Sequence, residues 1–170
     1  MLENSKVARE DLAWAAGFFD GEGSVSIKRL PWPTTRPSLR ASSIYGLRII
    51  LGNRNSEPVF WLKDHFGGSV HVRHFSNPKH APAFVWVAAS RVAASFLSQI
   101  LPYLKVKSEI ARLGLELQES MGKLPHVRKN GYRAGFEPLP PEVLLHREAL
   151  WGKAKELNKR GPRSDQVLCR

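Results

Sequence analysis

One short run near the start constrains the whole chain: Leu12-Ala13-Trp14-Ala15-Ala16-Gly17-Phe18-Phe19-Asp20-Gly21-Glu22-Gly23-Ser24-Val25. Its first half is small and apolar and reads as a helix to about Phe19, with Asp11 as an N-cap. Its second half sets two carboxylates between glycines, and an alternating strand pattern begins at Ser24. Gly17 costs roughly 1 kcal/mol relative to alanine inside a helix. That loss becomes understandable if a second backbone packs closely beside Ala13, Ala16 and Gly17. Asp20 and Glu22 fall at the C-terminal end of the helix, where the dipole is negative and a basic residue would be preferred by about 0.3–1 kcal/mol. Acids placed there invite a cation. An Asp-Gly pair alone also serves as a solvated turn, so the surrounding sequence must decide.

Charge narrows the partner. The 170 residues carry a formal net charge of +11. Between positions 12 and 108 the acids are Asp20, Glu22, Glu57 and Asp64. The same interval holds Lys28, Arg29, Arg36, Arg40, Arg48, Arg54, Lys63, Arg73, Lys79, Arg91, Lys105 and Lys107. A positive field concentrated on one region predicts a nucleic-acid partner. No run of 18 apolar residues and no signal-type N-terminus is present, so the expectation is an intracellular protein with no membrane association. The one cysteine, Cys169, permits no internal disulfide, and His71, His74 and His80 lack zinc-type spacing.

Taken in order, residues 1 to 10 read as a frayed lead-in. The first strand sets Ser24, Ser26 and Lys28 on a polar face against Val25, Ile27 and Arg29. Leu30 to Ser38, with three prolines, is a loop whose Trp32 and Arg36 suit nucleic-acid contact. A second strand from about Arg40 to Leu51 points Tyr45, Leu47, Ile49 and Leu51 one way and Ile44, Gly46, Arg48 and Ile50 the other. Gly52 to Ser56 is a polar turn, and Ser56-Glu57-Pro58 starts a helix that ends at Gly67-Gly68. Val70 to His74 is a third strand with His71 and Arg73 on one face; a loop containing Lys79 leads to a fourth strand at Phe84 to Ala88. Ser90 to Leu101 is a helix with Val92, Ala93, Phe96, Leu97 and Ile100 on its buried stripe. Tyr103 to Ser108 reads as an extended entry to the next helix, with Lys105 and Lys107 on one side, away from Leu104 and Val106. Residues 123–141 form a basic, glycine- and proline-rich loop or arm, followed by a helix from Pro141 with Val143, Leu144, Leu150 and Leu157 partly buried. The expected division is a core over 1–122 and, over 123–170, a C-terminal loop, helix and tail packed on the same domain.

Ala15-Ala16-Gly17-Phe18-Phe19-Asp20-Gly21-Glu22-Gly23 resembles the nine-residue signature of the LAGLIDADG homing endonucleases. Ala15 stands where a larger apolar residue is usual, and Glu22 where Asp is usual. The resemblance implies an α+β fold of order αββαββα, with a saddle-shaped antiparallel sheet, helices on one face, and dimerisation through the motif helix. It implies that Glu22 ligates Mg²⁺, with Mn²⁺ as a substitute, aided by the Gly21 carbonyl. Asp20 becomes a turn-capping acid of the catalytic group, Lys107 the lysine beside the metals, and Asn53 the polar residue that orders water, with Arg54 left open for that role. The DNA-contacting set is then Ser24, Ser26, Lys28, Arg36, Arg40, Arg48, Arg54, His71, Arg73 and Lys79. The implied function is a homodimeric, intron-encoded endonuclease that cuts double-stranded DNA at a specific site. The alternative is an RNA-binding maturase that assists splicing of an intron RNA without cleavage.

Overall fold

The structure is a computed structural model that describes residues 7–30, 44–77, 81–122 and 140–159. Arg36, Arg40 and Lys79, the loop at Trp32, the arm before Pro140 and the tail after Lys159 lie outside the described residues.

Helix α1 (Arg9–Glu22) is followed by strands β1 (Gly23–Leu30) and β2 (Ile44–Asn53), then by helix α2 (Ser56–Phe66) and strands β3 (Ser69–Arg73) and β4 (Ala83–Ala89). Helices α3 (Ser90–Ile100), α4 (Ser108–Gly122) and α5 (Pro141–Leu157) complete the order, with a short 3-10 turn at Leu101–Tyr103. The expected α+β architecture is the observed one: four antiparallel strands in the order β1-β2-β4-β3, covered by helices.

Strand alternation divides the sheet. Val25, Ile27, Tyr45, Leu47, Ile49, Leu51, Trp86 and Ala88 are buried and share one face through the register. Beneath the helices Phe96 is the hub of the core, meeting Phe19, Phe66 and Trp86 edge to face at 5.3, 4.8 and 4.9 Å between ring centroids. Such arrangements align ring edges with ring faces and add about 0.5–1.5 kcal/mol each beyond burial. Trp86 satisfies its indole by donating to the Gly67 carbonyl at 2.8 Å.

Several boundaries differ from the sequence reading. Helix α1 begins at Arg9 behind Ala8, so Asp11 is a first-turn acid rather than the cap. It also runs past Phe19 to Glu22, which makes both signature acids helical. Asn55, not Ser56, caps α2, its side chain accepting from the Glu57 amide at 3.1 Å. Val92 and Leu157 are substantially exposed. The buried positions of α5 are Arg147, Leu150 and Ala154, and Arg147 reaches Ser120 Oγ at 3.1 Å and the Ser120 carbonyl at 2.9 Å, closing the end of α4. Burial pulls the Arg147 guanidinium below its usual range. At the other side of α5, Glu148 accepts from Tyr45 and pairs with Arg29 at 3.2 Å, while Arg29 lies 5.1 Å from the Trp151 ring centroid.

Candidate active site and nucleic-acid interface

The C-terminal turn of α1 and the N-terminal approach to α4 meet through Asp20. Its carboxylate accepts from the amides of Lys105 at 2.6 Å, Val106 at 3.0 Å and Lys107 at 2.9 Å. In return the Lys107 ammonium donates to the Asp20 carbonyl. Helix α1 has no basic residue in its own last turn, and Lys107 supplies the missing cation. Asp20 likewise supplies the anion that the start of α4 prefers. Burial pushes the Asp20 carboxyl up, but the three amides and the charge of Lys107 outweigh it and hold the group below the usual carboxylate range.

This clamp corrects the reading of residues 104–107 as an extended entry. Leu104 is buried and Val106 is 77% exposed, so the two apolar side chains do not share a side, and Lys107 is half-buried against α1. A carboxylate receiving three successive amides bends the segment, and period-two spacing no longer reports orientation.

Glu22 is exposed and makes no hydrogen bond or ion pair among the described residues. Gly23 then begins β1, and its amide donates to the Phe19 carbonyl. A Cβ on Gly23 would lie 2.6 Å from that carbonyl oxygen, so glycine is needed for the chain to leave the helix so tightly. Among the described residues no three His, Cys, Asp or Glu side chains gather into a metal cage. A lone exposed carboxylate beside the last carbonyls of a helix offers only hard oxygen donors. That set fits a Mg²⁺-type cation that completes its shell with water and phosphate.

Asn53 is the last residue of β2, and its Oδ1 accepts from the Asn55 amide at 2.8 Å; Arg54 follows it, exposed. Register puts β2's C-terminal end beside β1's start, with Gly23 opposite Leu51. The acidic turn and Asn53 therefore occupy the same end of the sheet.

The other face, uncovered among the described residues, carries the predicted readers that lie on strands. Ser24, Ser26 and Lys28 pair with Ile50, Arg48 and Gly46, and Ser69, His71 and Arg73 pair with Val87, Val85 and Ala83. Through β2 and β4 these residues share the face opposite the buried set. None of the four strands contains an acid. On α1, Ala13 and Gly17 are exposed, whereas Ala16 is fully buried in the core and does not belong to the exposed stripe. Beyond its own helix backbone and chain neighbours, a Cβ on Gly17 would meet no atom of the described residues within 4 Å. Sequence reasoning missed the Asp20 amide clamp and the Arg147 and Glu148 anchors of α5, for which no local pattern gives a signal.

These elements make the fold of the LAGLIDADG homing endonucleases. The chain is similar to the homing endonuclease I-CvuI in complex with DNA, at 16% identity and a TM-score of 0.64 over 91% of this chain and 86% of that one. It is equally similar to the archaeal intron-encoded homing endonuclease I-Vdi141I complexed with DNA, at 16% identity and 0.65 over 93% and 90%. The LAGLIDADG homing endonuclease I-GzeII in complex with its DNA target matches at 17% identity and 0.56, over 82% of this chain but 43% of that one. No protein-family model and no curated protein sequence matches the chain. Among the described residues no helix is long and apolar enough to cross a membrane.

Proposed function

We propose that this chain is a site-specific, intron-encoded endonuclease that hydrolyses double-stranded DNA as a homodimer, with Mg²⁺ as cofactor and Mn²⁺ as a substitute. The reading is carried by the Asp20 clamp, which brings Lys107 against the end of the motif helix next to the exposed Glu22, at one end of an acid-free sheet face. The likeness of the fold to DNA-complexed endonucleases supports it. The maturase reading has no observation of its own in its favour.

Glu22 and the Gly21 carbonyl would hold the cation. Bound there, it would supply a Lewis acid for the phosphate and a more acidic water. The chain's own groups do the rest. The Lys107 ammonium offsets charge developing on the phosphate oxygens, preorganised by Asp20 so that no reorientation is needed during reaction. The Asn53 amide orients the attacking water. Arg48 and Arg73 present donor forks to base edges, Ser24, Ser26 and His71 contact the groove, and Lys28, Arg54, Arg36, Arg40 and Lys79 serve the backbone. Residues 1–122 form the nuclease core, with 123–170 as its extension. Each protomer carries one acidic turn, so cutting two strands calls for two protomers. The Ala13–Gly17 stripe of α1 would meet its mate across a two-fold axis.

Glu22→Gln tests the reading. The swap keeps size and removes the charge that holds a hard cation, so the variant is expected to bind its site with wild-type affinity and to cut at least a hundredfold more slowly. Undiminished cleavage by the variant would refute the assignment.

A further inference from the structure

The uncovered sheet face is not uniformly polar. Register sets Ile50 opposite Val87 on the two inner strands, with Val85 two residues further along β4 and Gly52, which has no side chain, opposite Val85. Ile50, Val85 and Val87 are half-exposed and form one apolar strip. Around it stand Arg48, Ser69, His71 and Arg73, on strands that contain no acid. The rim therefore suits a polyanion, while the centre offers no donor to a phosphate. The neighbouring Ser24 and Ser26 hydroxyls are turned inward, donating to the Ile50 and Arg48 carbonyls at 3.4 and 3.3 Å.

We infer that the Ile50–Val85–Val87 strip reads thymine methyl groups in the major groove, making thymines beneath the middle of each sheet part of the recognition sequence. The inference rests on the endonuclease reading above. In the major groove the thymine C5-methyl is the one methyl group that a base pair presents; the purine edges there and the cytosine N4 are donors and acceptors, and cytosine C5–H offers no methyl to bury. A donor or acceptor pressed against valine loses its water and gains no partner, so the strip attracts thymine and rejects the other bases. The surrounding cations fix the occupant as nucleic acid rather than as another apolar protein face.

The test gives the full chain a randomised duplex library in Mg²⁺ and sequences the cut ends, expecting thymine to dominate at the mid-half-site positions. The selected duplex is then rebuilt with deoxyuridine in place of those thymines, which deletes only the methyl groups. Wild-type kcat/KM is expected to fall roughly fourfold per methyl, the effect of burying one methyl-sized group. Ile50→Ala combined with Val87→Ala should abolish that discrimination, and the wild-type comparison stands even if the variant folds poorly. Equal cleavage of the thymine and uracil duplexes, or G·C pairs at those positions, overturns the inference. If no library member is cut, the endonuclease reading fails, and retention of the same duplexes on the protein decides: thymine must still be enriched and uracil must still weaken binding, and neither result would overturn it as well.

Discussion

Asp20 and Lys107 exchange charges between two helix ends: Lys107 supplies the cation that α1 lacks in its own last turn, and Asp20 adds an anion at the start of α4, whose first turn also carries Glu109. Replacing Asp20 with Asn leaves one acceptor oxygen for three amides and turns two hydrogens toward donors. The expected loss is about 1–2 kcal/mol, the scale of a lost helix cap, read by urea unfolding. In the proposed mechanism Asp20 acts on the phosphate only through Lys107, so Asp20→Asn should slow cleavage in the wild type yet add little in a Lys107→Ala background. Multiplying effects in the double variant would show that Asp20 acts independently. The sequence held both residues, but only a resemblance joined them. Their bonds are side chain to backbone across 87 positions, and the alternation that placed Lys107 beside Lys105 was defeated by the bend those bonds impose.

Elements with a buried face were legible because burial enforces their period: β1 and β2 alternate as read, and the opposite, polar face follows from Ser24 to Arg73 by register. Their ends were not, since a cap depends on which of two adjacent polar residues adopts extended backbone, as Asn55 does ahead of Ser56. Helix α5 was legible as a helix but not in its orientation, because its buried residues include Arg147, whose partners lie on α4. Helix α1 offers a test of assembly alone. Apart from its own helix backbone and chain neighbours, no atom of the described residues lies within 4 Å of a Cβ built on Gly17, so Gly17→Leu should leave the protomer folded and at least as stable, with a better helix former in place. In a dimer packed through that stripe the same side chain overpacks a close contact, at a cost of about 1–3 kcal/mol or more. Light scattering should then show wild-type dimers and Gly17→Leu monomers; dimers of undiminished stability would place the interface elsewhere.

At the scale of the molecule, helices crowd one side of the sheet, and among the described residues the other side is left open, cationic at its rim and built from strands without acids, with Glu22 and the Lys107 clamp at one end. On the proposed function, that asymmetry lets the fold grip a duplex while an exposed carboxylate is held at its edge. Composition and charge made a nucleic-acid partner the expectation; the geometry that sets Lys107 against the end of α1 was not legible, because it depends on packing between α1 and α4. The account is tested most directly by incubating the purified chain with a duplex library under Mg²⁺, or under Ca²⁺ in its place, and mapping breaks on both strands. It predicts paired breaks at a fixed stagger about a two-fold centre in Mg²⁺, and bound but intact duplex in Ca²⁺. Protein that binds the duplexes and leaves both strands whole in Mg²⁺ and Mn²⁺ would contradict it.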